Sequence, residues 1–429
     1  MKVLHLTAHL GGGVGKALSG LVAQSRVASS TVEHTIVCLE EPKKSEFANM
    51  VTDSGGILYV RPDSGKLDEL IAQTDIVQLE WWNHPATLKC LHDLDSPSMR
   101  LLVWSHVSGL FNPIIPTGLV RTAHRFLFTS PCSFEAKNIA PLVQEFGDRL
   151  QIVSSSGGFN GLPLPRDNAS EPLSALYVGS LNFAKLHPDY VDFLSAVKKP
   201  GFSVRMIGDL TNREQLTRAC MRRGKPGLLE FRGYSTDIAA ELASGNTLVY
   251  LLNPTHYGTT ENALLEAMAT GIVPVVLGNP AESRIVEHRK TGLIVNSTPE
   301  FADAIDWLDA HPEERQQLGA EAARSVRARF SVEKTNASLT RHYGDLLHAG
   351  KRKIHFGEIF GGGPSDWFRA CQGNPAIFQD DGSIDFNRID RMSAYALQER
   401  TKGSVFHFRE YFHDDMRLAQ WAKNLGTLQ

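Results

Sequence analysis

The chain has 429 residues, with 44 Lys and Arg against 47 Asp and Glu, for a formal net charge of −3. Neutralising many phosphates needs a surplus of basic side chains on one face, so this balance excludes a general nucleic-acid binder. Hydrophobic residues at 42 % and charged residues at 21 % are the values of a folded globular chain, and the length allows about two or three domains.

The opening MKVLHLTAHLGGGVGK carries an apolar run too short for a signal sequence and no small-residue cleavage site. No stretch approaches the ~20 apolar residues of a membrane span. Cys38, Cys90, Cys132, Cys220 and Cys371 are scattered and form no CxxC pair, which suits reduced thiols in the cytoplasm. A cytoplasmic protein is expected, with peripheral contact at the inner face of the membrane open.

Strand-like runs alternate with helix-like ones from the start: Lys2–Thr7, a glycine-rich turn, an amphipathic stretch Ala17–Val27, then Thr31–Leu39. Ile57–Val60, Ile76–Leu79, Leu101–Ser105 and Arg125–Thr129 continue the series, which predicts a parallel sheet covered on both faces. Gly, Pro and Asn crowd into Gly157–Ser170, the expected hinge. Strands then resume at Ser174–Val178, Ser203–Ile207, Leu228–Arg232, Thr247–Leu252 and Ile272–Val276, with helices at Tyr190–Val197, Arg213–Arg222, Asp237–Leu242 and Asn262–Ala269. Ser297–His311, Glu313–Arg329 and Ser331–Leu347 read as helices without strands between them. From Gly350 the composition turns aromatic, with Phe406, Phe408, Tyr411 and Phe412 close together, and so many aromatics are expected to pack rather than stand exposed.

Gly11-Gly12-Gly13-Val14-Gly15-Lys16 follows the first strand and opens a helix, where backbone N–H groups can meet an anion. It is not a P-loop: Leu10 stands where the first glycine belongs, and Ala17 replaces the magnesium-binding hydroxyl. Neither frame gives G-x-G-x-x-G, which disfavours a nicotinamide enzyme. His256 to Gly271 (HYGTTENALLEAMATG) places a small polar loop after a buried strand and before a helix beginning near Asn262, a good N-cap type. Unpaired amides there would face a phosphate. Glu266, one turn inside, can accept from two vicinal hydroxyls such as those of a ribose. Glu80-Trp81-Trp82-Asn83-His84 ends another strand, and at least one of its tryptophans is expected to be buried between domains. No metal-ligand spacing such as HExxH occurs among the 16 histidines, so no metal is expected.

This segment resembles the donor region of the retaining family 4 glycosyltransferases, E-x7-E followed by A-M-A-x-G-x-P-V-V and later T-G-L-x-V, here Thr291–Val295. The family's second glutamate falls on Glu266 and the first on Gly258, with Glu261 as the nearest substitute carboxylate. Its G-R-L-x-x-x-K resembles Gly179–Lys185, where lysine is kept and Ser180 replaces arginine. Gly12 and Gly13 match its glycine loop. His106 matches the histidine that faces the donor sugar, and Phe231–Ser235 matches the loop beside the nucleotide base.

The resemblance implies a GT-B-like α/β fold. Two Rossmann-like, doubly wound parallel-sheet domains would face a cleft: an acceptor domain at 1–160 and a donor domain at 171–330. A helix at 331–348 would return toward the first domain, followed by an extension at 349–429. It implies His106, Lys185 and Glu261 as catalytic residues. It implies Gly12, Gly13, Ser180, Arg232, Gly233, Tyr234, Thr259, Thr260, Asn262, Ala263 and Glu266 as donor-binding residues. The expected reaction moves a sugar, with retention, from a UDP- or GDP-sugar to a hydroxyl of a glycan or lipid-linked glycan in bacterial polysaccharide, lipopolysaccharide or glycoconjugate synthesis. No fixed cofactor is expected, and a homodimer is allowed. The losses at Gly258 and Ser180 keep two alternatives open: a binding protein without turnover, and a sugar-nucleotide epimerase of the same shape.

Overall fold

The computed structural model describes residues 1–42, 44–95 and 98–427. Seven strands, β1 (Lys2–Thr7), β2 (Glu33–Cys38), β3 (Ile57–Val60), β4 (Ile76–Trp81), β5 (Leu101–Ser105), β6 (Arg125–Phe128) and β7 (Leu150–Ile152), form one parallel sheet in the order β3-β2-β1-β4-β5-β6-β7. Six more, β8 (Ala175–Val178), β9 (Val204–Ile207), β10 (Leu229–Gly233), β11 (Thr247–Tyr250), β12 (Val273–Leu277) and β13 (Leu293–Val295), form a second in the order β10-β9-β8-β11-β12-β13. Both are doubly wound, with the order reversing beside the first strand of each sheet, where such sheets bind ligands. Within these two sheets the strands the sequence does not announce, β7 and β13, are three-residue edges, too short to show a period; a separate antiparallel pair, Ser98–Met99 with Arg352–Lys353, is shorter still.

Contacts divide the chain into two compact units. The first holds residues 1–158, 257–260 and 332–429, and the second holds 159–256 and 261–331.

In the first unit every residue of β4 and β5 is buried, because helices cover both faces of the sheet. The helix after β1 spans Gly12–Val27 and so starts five residues earlier than the sequence suggests. Its first turn closes through the Gly15 amide donating to the Gly11 carbonyl at 3.1 Å. A Cβ on Gly15 would lie 2.7 Å from the Phe47 ring and 2.9 Å from the Leu10 backbone, so close packing overrides glycine's poor helix propensity. The helix Val332–Leu347 lays Leu339, Tyr343 and Leu346 on Val3, Ala17, Leu102 and Trp104.

The aromatic tail is core. Phe360, Trp367, Phe368, Phe408 and Trp421 join the apolar cluster of β4 and β5, and Phe360 stacks on Trp81 with ring centroids 5.6 Å apart. Trp81 is therefore buried wholly inside the first unit rather than between domains, because the extension supplies the apolar partner.

In the second unit β8, β11 and β12 are buried along their whole length. The basic helix Arg213–Arg222 and the residues after it are engaged locally: Arg213 lies over Phe231, Arg223 pairs with Asp192, and Lys225 donates to the Ser195 and Val197 carbonyls. No helix among the described residues is long and apolar enough to cross a membrane.

Candidate functional site

In the second unit the chain leaves β11 at Tyr250 and enters the helix Asn262–Ala269. The N-cap is Glu261 rather than Asn262, and no side chain caps the helix. Glu261 cannot cap because its carboxylate points elsewhere. It is 3 % exposed, and its Oε2 accepts from Lys185 Nζ at 2.5 Å and from Tyr250 Oη at 2.7 Å. His256 Nδ1 stands 3.9 Å from Oε1, while the Nε2 of the same ring hydrogen-bonds Glu282 at 3.2 Å. Burial opposes the charged form of Glu261, but the Lys185 ammonium, His256 and the Tyr250 hydroxyl outweigh it and hold the carboxyl below the ordinary carboxylate range.

Lys185 is positioned from behind as well. Its carbonyl accepts from the Asn253 amide at 2.8 Å, and Asn253 Nδ2 donates to the Phe183 carbonyl at 2.7 Å, which ties the Asn182–Leu186 turn to the segment after β11. One ammonium thus sits at the amino end of an uncapped helix whose first turn contains no acidic residue. The helix dipole at that end favours an anion, and the ammonium standing there is shared with Glu261.

Ser180 follows β8, and Arg232, Gly233 and Tyr234 stand at the carboxyl end of β10. The Ser180 hydroxyl donates to Asp209 and so is engaged within the protein. Burial raises the Asp209 carboxyl, but hydrogen bonds from Ser180, Thr211 and Leu181 outweigh it and keep the group below its usual value. A Cβ on Gly208 would stand 1.8 Å from the Gly179 carbonyl oxygen, so these two loops meet only because position 208 is glycine. Arg232 pairs with Glu230 at 3.2 Å, Gly233 has a φ of 75°, and Tyr234 is 65 % exposed. Asn262 and Ala263 form the first turn of the helix, with Glu266 half-buried one turn on.

In the first unit Gly12 and Gly13 open the helix after β1. Thr259 and Thr260 are held by Thr129: its hydroxyl lies 3.0 Å from that of Thr259, and its carbonyl accepts from Thr260 Oγ1 at 3.0 Å.

His106 follows β5 and leads to residues the sequence reading did not assign. Its Nε2 meets Glu80 Oε2 at 2.8 Å. Glu80, wholly buried at the end of β4, also takes His5 Nδ1 at 3.1 Å and Gln78 Nε2 at 2.7 Å on Oε1. The chain continues from His5 Nε2 to His34 Nδ1 at 2.9 Å, and from His34 Nε2 to Ser25 Oγ at 2.9 Å. Asn336 Nδ2 closes it on Ser25 Oγ at 2.6 Å. A single direction satisfies every link. Asn336 donates to Ser25, Ser25 to His34, His34 to His5, and His5 to an ionised Glu80, which also accepts from His106 Nε2. Burial opposes the Glu80 charge, yet His106 and His5 hold its pKa below the normal value. His106 in its neutral form therefore carries its proton on Nε2 and offers Nδ1 as acceptor. The signal was present in the sequence as polar His5, Gln78 and Glu80 on otherwise apolar strands, but only the pairing of β1 with β4 and of β4 with β5 brings them together.

Burial, with His5 nearby, lowers the His34 pKa to about 3, so the folded state holds this ring neutral while the unfolded chain protonates it near 6.5. A depressed folded pKa contributes stability above the unfolded value and loses it as pH falls, here between about 6.5 and 3. Stability is expected to drop with a slope of up to about 1.4 kcal/mol per pH unit from this group. Urea midpoints measured from pH 7 to pH 4.5 should show a steeper fall for the wild type than for His34→Gln.

Residues 172–310 match the family model described as "Glycosyl transferases group 1". A lipopolysaccharide core biosynthesis glycosyltransferase, LpsD of Rhizobium meliloti (strain 1021), is 26 % identical over 222 residues, which span 50 % of this chain and 63 % of that relative. The match thus covers less than two thirds of the curated relative's length. Among solved structures, Anabaena Alr3699/HepE in complex with UDP-glucose superposes with a TM-score of 0.63 at 15 % identity, covering 80 % of this chain and 100 % of that one. A glycosyltransferase from Rickettsia africae ESF-5 gives 0.60 at 12 % identity, covering 81 % and 99 %. The chain thus carries the fold of GT-B glycosyltransferases, two parallel-sheet α/β halves with an added helical extension, and its residues 172–310 are similar to the group 1 glycosyl transferases.

Proposed function

We propose that this chain is a retaining glycosyltransferase of family 4 type that moves a sugar from a nucleoside diphosphate sugar to a hydroxyl acceptor. The observation that carries the reading is the Lys185 ammonium, held by Glu261 at the amino end of the uncapped helix Asn262–Ala269. As the bond from the anomeric carbon to the diphosphate oxygen breaks, negative charge grows on the leaving group. A fixed ammonium and first-turn amides stabilise that charge without reorganising. Glu261 is here a positioning residue, since its Oε2 is engaged by both Lys185 and Tyr250. Glu266 is assigned to the ribose hydroxyls. His106 accepts a sugar hydroxyl at Nδ1, the nitrogen that Glu80 leaves open.

A UDP-sugar donor is favoured by the UDP-glucose that HepE holds in its complex, and a lipopolysaccharide-type glycan acceptor by the name of the LpsD relative. The acceptor is assigned to the first unit. The engagement of Ser180 by Asp209 and the glycine at 258 favour a second reading, a binder without turnover.

One experiment separates the two. Thermal-shift measurements with UDP-, GDP- and ADP-glucose are expected to show stabilisation by the UDP-sugar, about 2.7 kcal/mol at 100 times its dissociation constant. Release of UDP from UDP-glucose then reports turnover. Stabilisation without release would favour the binder, and no stabilisation by any of the three would remove the nucleotide-sugar reading.

A further inference from the structure

β13 stands at the edge of the second sheet, and a groove of about 1150 Å³ opens along it, walled by the next two helices, Thr298–Ala310 and Pro312–Arg329. Each helix turns one stripe into the groove. Positions 300, 303, 304 and 307 come from the first and 314, 317, 318 and 321 from the second, both at the i, i+3, i+4, i+7 spacing of a single face. Ile294, Ala304, Trp307 and Leu318 make part of its surface apolar, and Trp307 stacks on the His311 ring with centroids 5.0 Å apart. Contiguous apolar surface marks an interaction site, whereas apolar side chains exposed singly do not.

A bare sheet edge is a template for another strand, but the amides of this one are taken. The Ile294 amide donates to His288 Nδ1 at 3.0 Å, and the Asn296 amide donates to Glu300 Oε2 at 2.8 Å. The occupant of the groove must therefore meet it through side chains.

Charge is divided across the groove. The turn before β13 is fixed by the Lys290 and Thr291 amides, which donate to the Glu287 carbonyl at 3.0 and 2.9 Å, and by the Arg289 amide, which donates to the Gly292 carbonyl at 2.8 Å. Arg289 adopts a left-handed φ of 60° there, and both Arg289 and Lys290 are exposed. The two helices present carboxylates, among them Asp303 and Glu314, also exposed. Lys290 is paired with Glu287 and Glu321 with Arg324, whereas Arg289, Asp303 and Glu314 form no ion pair among the described residues.

An anionic partner would meet the carboxylates of the helices, and a purely cationic one would meet Arg289. The best complement carries both signs in the reverse arrangement. A second copy related by a two-fold axis supplies it by symmetry, because the basic turn of each copy then lies over the acidic stripes of the other. We infer that this groove is the interface of a homodimer, in which the turn bearing Arg289 and Lys290 pairs with the helices bearing Asp303 and Glu314, twice over, around the two Trp307 rings. None of the residues assigned to the nucleotide sugar lines the groove, so the inference stands apart from the transfer reading.

Sedimentation velocity of the full chain over a range of concentrations tests it. A two-chain species is expected, with a dissociation constant that rises with added salt, since exposed charges are screened. Arg289→Glu with Lys290→Glu, and separately Asp303→Lys with Glu314→Lys, should each raise that constant about 10²-fold by setting like charges opposite one another. An equimolar mixture of the two variants should recover wild-type association, because the reversed turn of one then meets the reversed helices of the other at both contacts. Carbodiimide coupling of mixed ¹⁴N and ¹⁵N wild-type chains needs no variant: Lys290 should be joined to Asp303 or Glu314 in peptide pairs that carry both isotopes. A single-chain wild type up to about 100 μM, a dimer indifferent to both reversals, a mixture that fails to associate, or coupling confined to one isotope would each overturn the interface. Single chains that bind tetralysine instead would give the groove to a foreign cationic partner and overturn it equally.

Discussion

Replacing Lys185 by alanine is expected to lower kcat for sugar transfer about 10²–10³-fold, the loss that follows removal of one preorganised charge aimed at a developing anion. The same change strands Glu261, which is 3 % exposed and held in its charged form chiefly by that ammonium. Removing one partner of a buried pair costs about 3–5 kcal/mol, because the remaining charge has lost its compensation. Rate and stability should therefore fall together in Lys185→Ala. The pair Lys185→Met with Glu261→Gln separates them. With no charge left to strand, and with Tyr250 still able to donate to the amide oxygen, the urea midpoint should return toward wild type while kcat stays low. Recovery of kcat in that double variant would falsify the assignment of Lys185 to the leaving diphosphate.

The second large effect is expected at Glu80. Three donors, His106 Nε2, His5 Nδ1 and Gln78 Nε2, converge on this wholly buried carboxylate. In Glu80→Gln one oxygen becomes an NH₂ group, so at least one of the three meets a donor in place of an acceptor. The expected cost is about 2–4 kcal/mol, the range for leaving buried polar groups unpaired in a charged network. The catalytic consequence is specific. Without the carboxylate the His106 proton is no longer pinned to Nε2, and Nδ1 ceases to be a dependable acceptor for the sugar. Long-range ¹H–¹⁵N correlation of the imidazole nitrogens reads the tautomer directly. The wild type should show His106 protonated on Nε2 below any effect of substrate, and Glu80→Gln should show a mixture with reduced kcat at little-changed UDP-glucose affinity. An unchanged tautomer and an unchanged kcat would reduce Glu80 to a purely structural role.

These two residues mark the boundary of what could be read from the chain. The donor loop was legible because its chemistry is local: a strand, a small polar turn, and a helix starting at Asn262 all follow one another in sequence. Strand positions such as Leu101–Ser105 and Ile272–Val276 were legible for a similar reason, since both faces of a covered parallel sheet demand continuous apolar runs. Asn262 as N-cap was misread. Its type suits a cap, but the Lys185–Glu261 pair, formed by residues 76 positions apart, sets where the helix begins. Ser180 likewise reads as an available hydroxyl until Asp209 is brought against it by the return of β9 beside β8.

Composition and period determined the broad class by themselves: alternating strands and helices, two parallel sheets, and a glycine-rich turn opening a helix after the first strand. They could do so because hydrophobic period and turn chemistry are properties of neighbouring residues. Only the tertiary structure decided which carboxylate holds Lys185, which nitrogen of His106 is left to accept, and that residues 400–413 pack against His9 and His84. Each of those depends on partners brought together by strand order and by the return of the last hundred residues to the first sheet. In a buried, low-dielectric setting such distant pairings set the protonation states on which the chemistry runs.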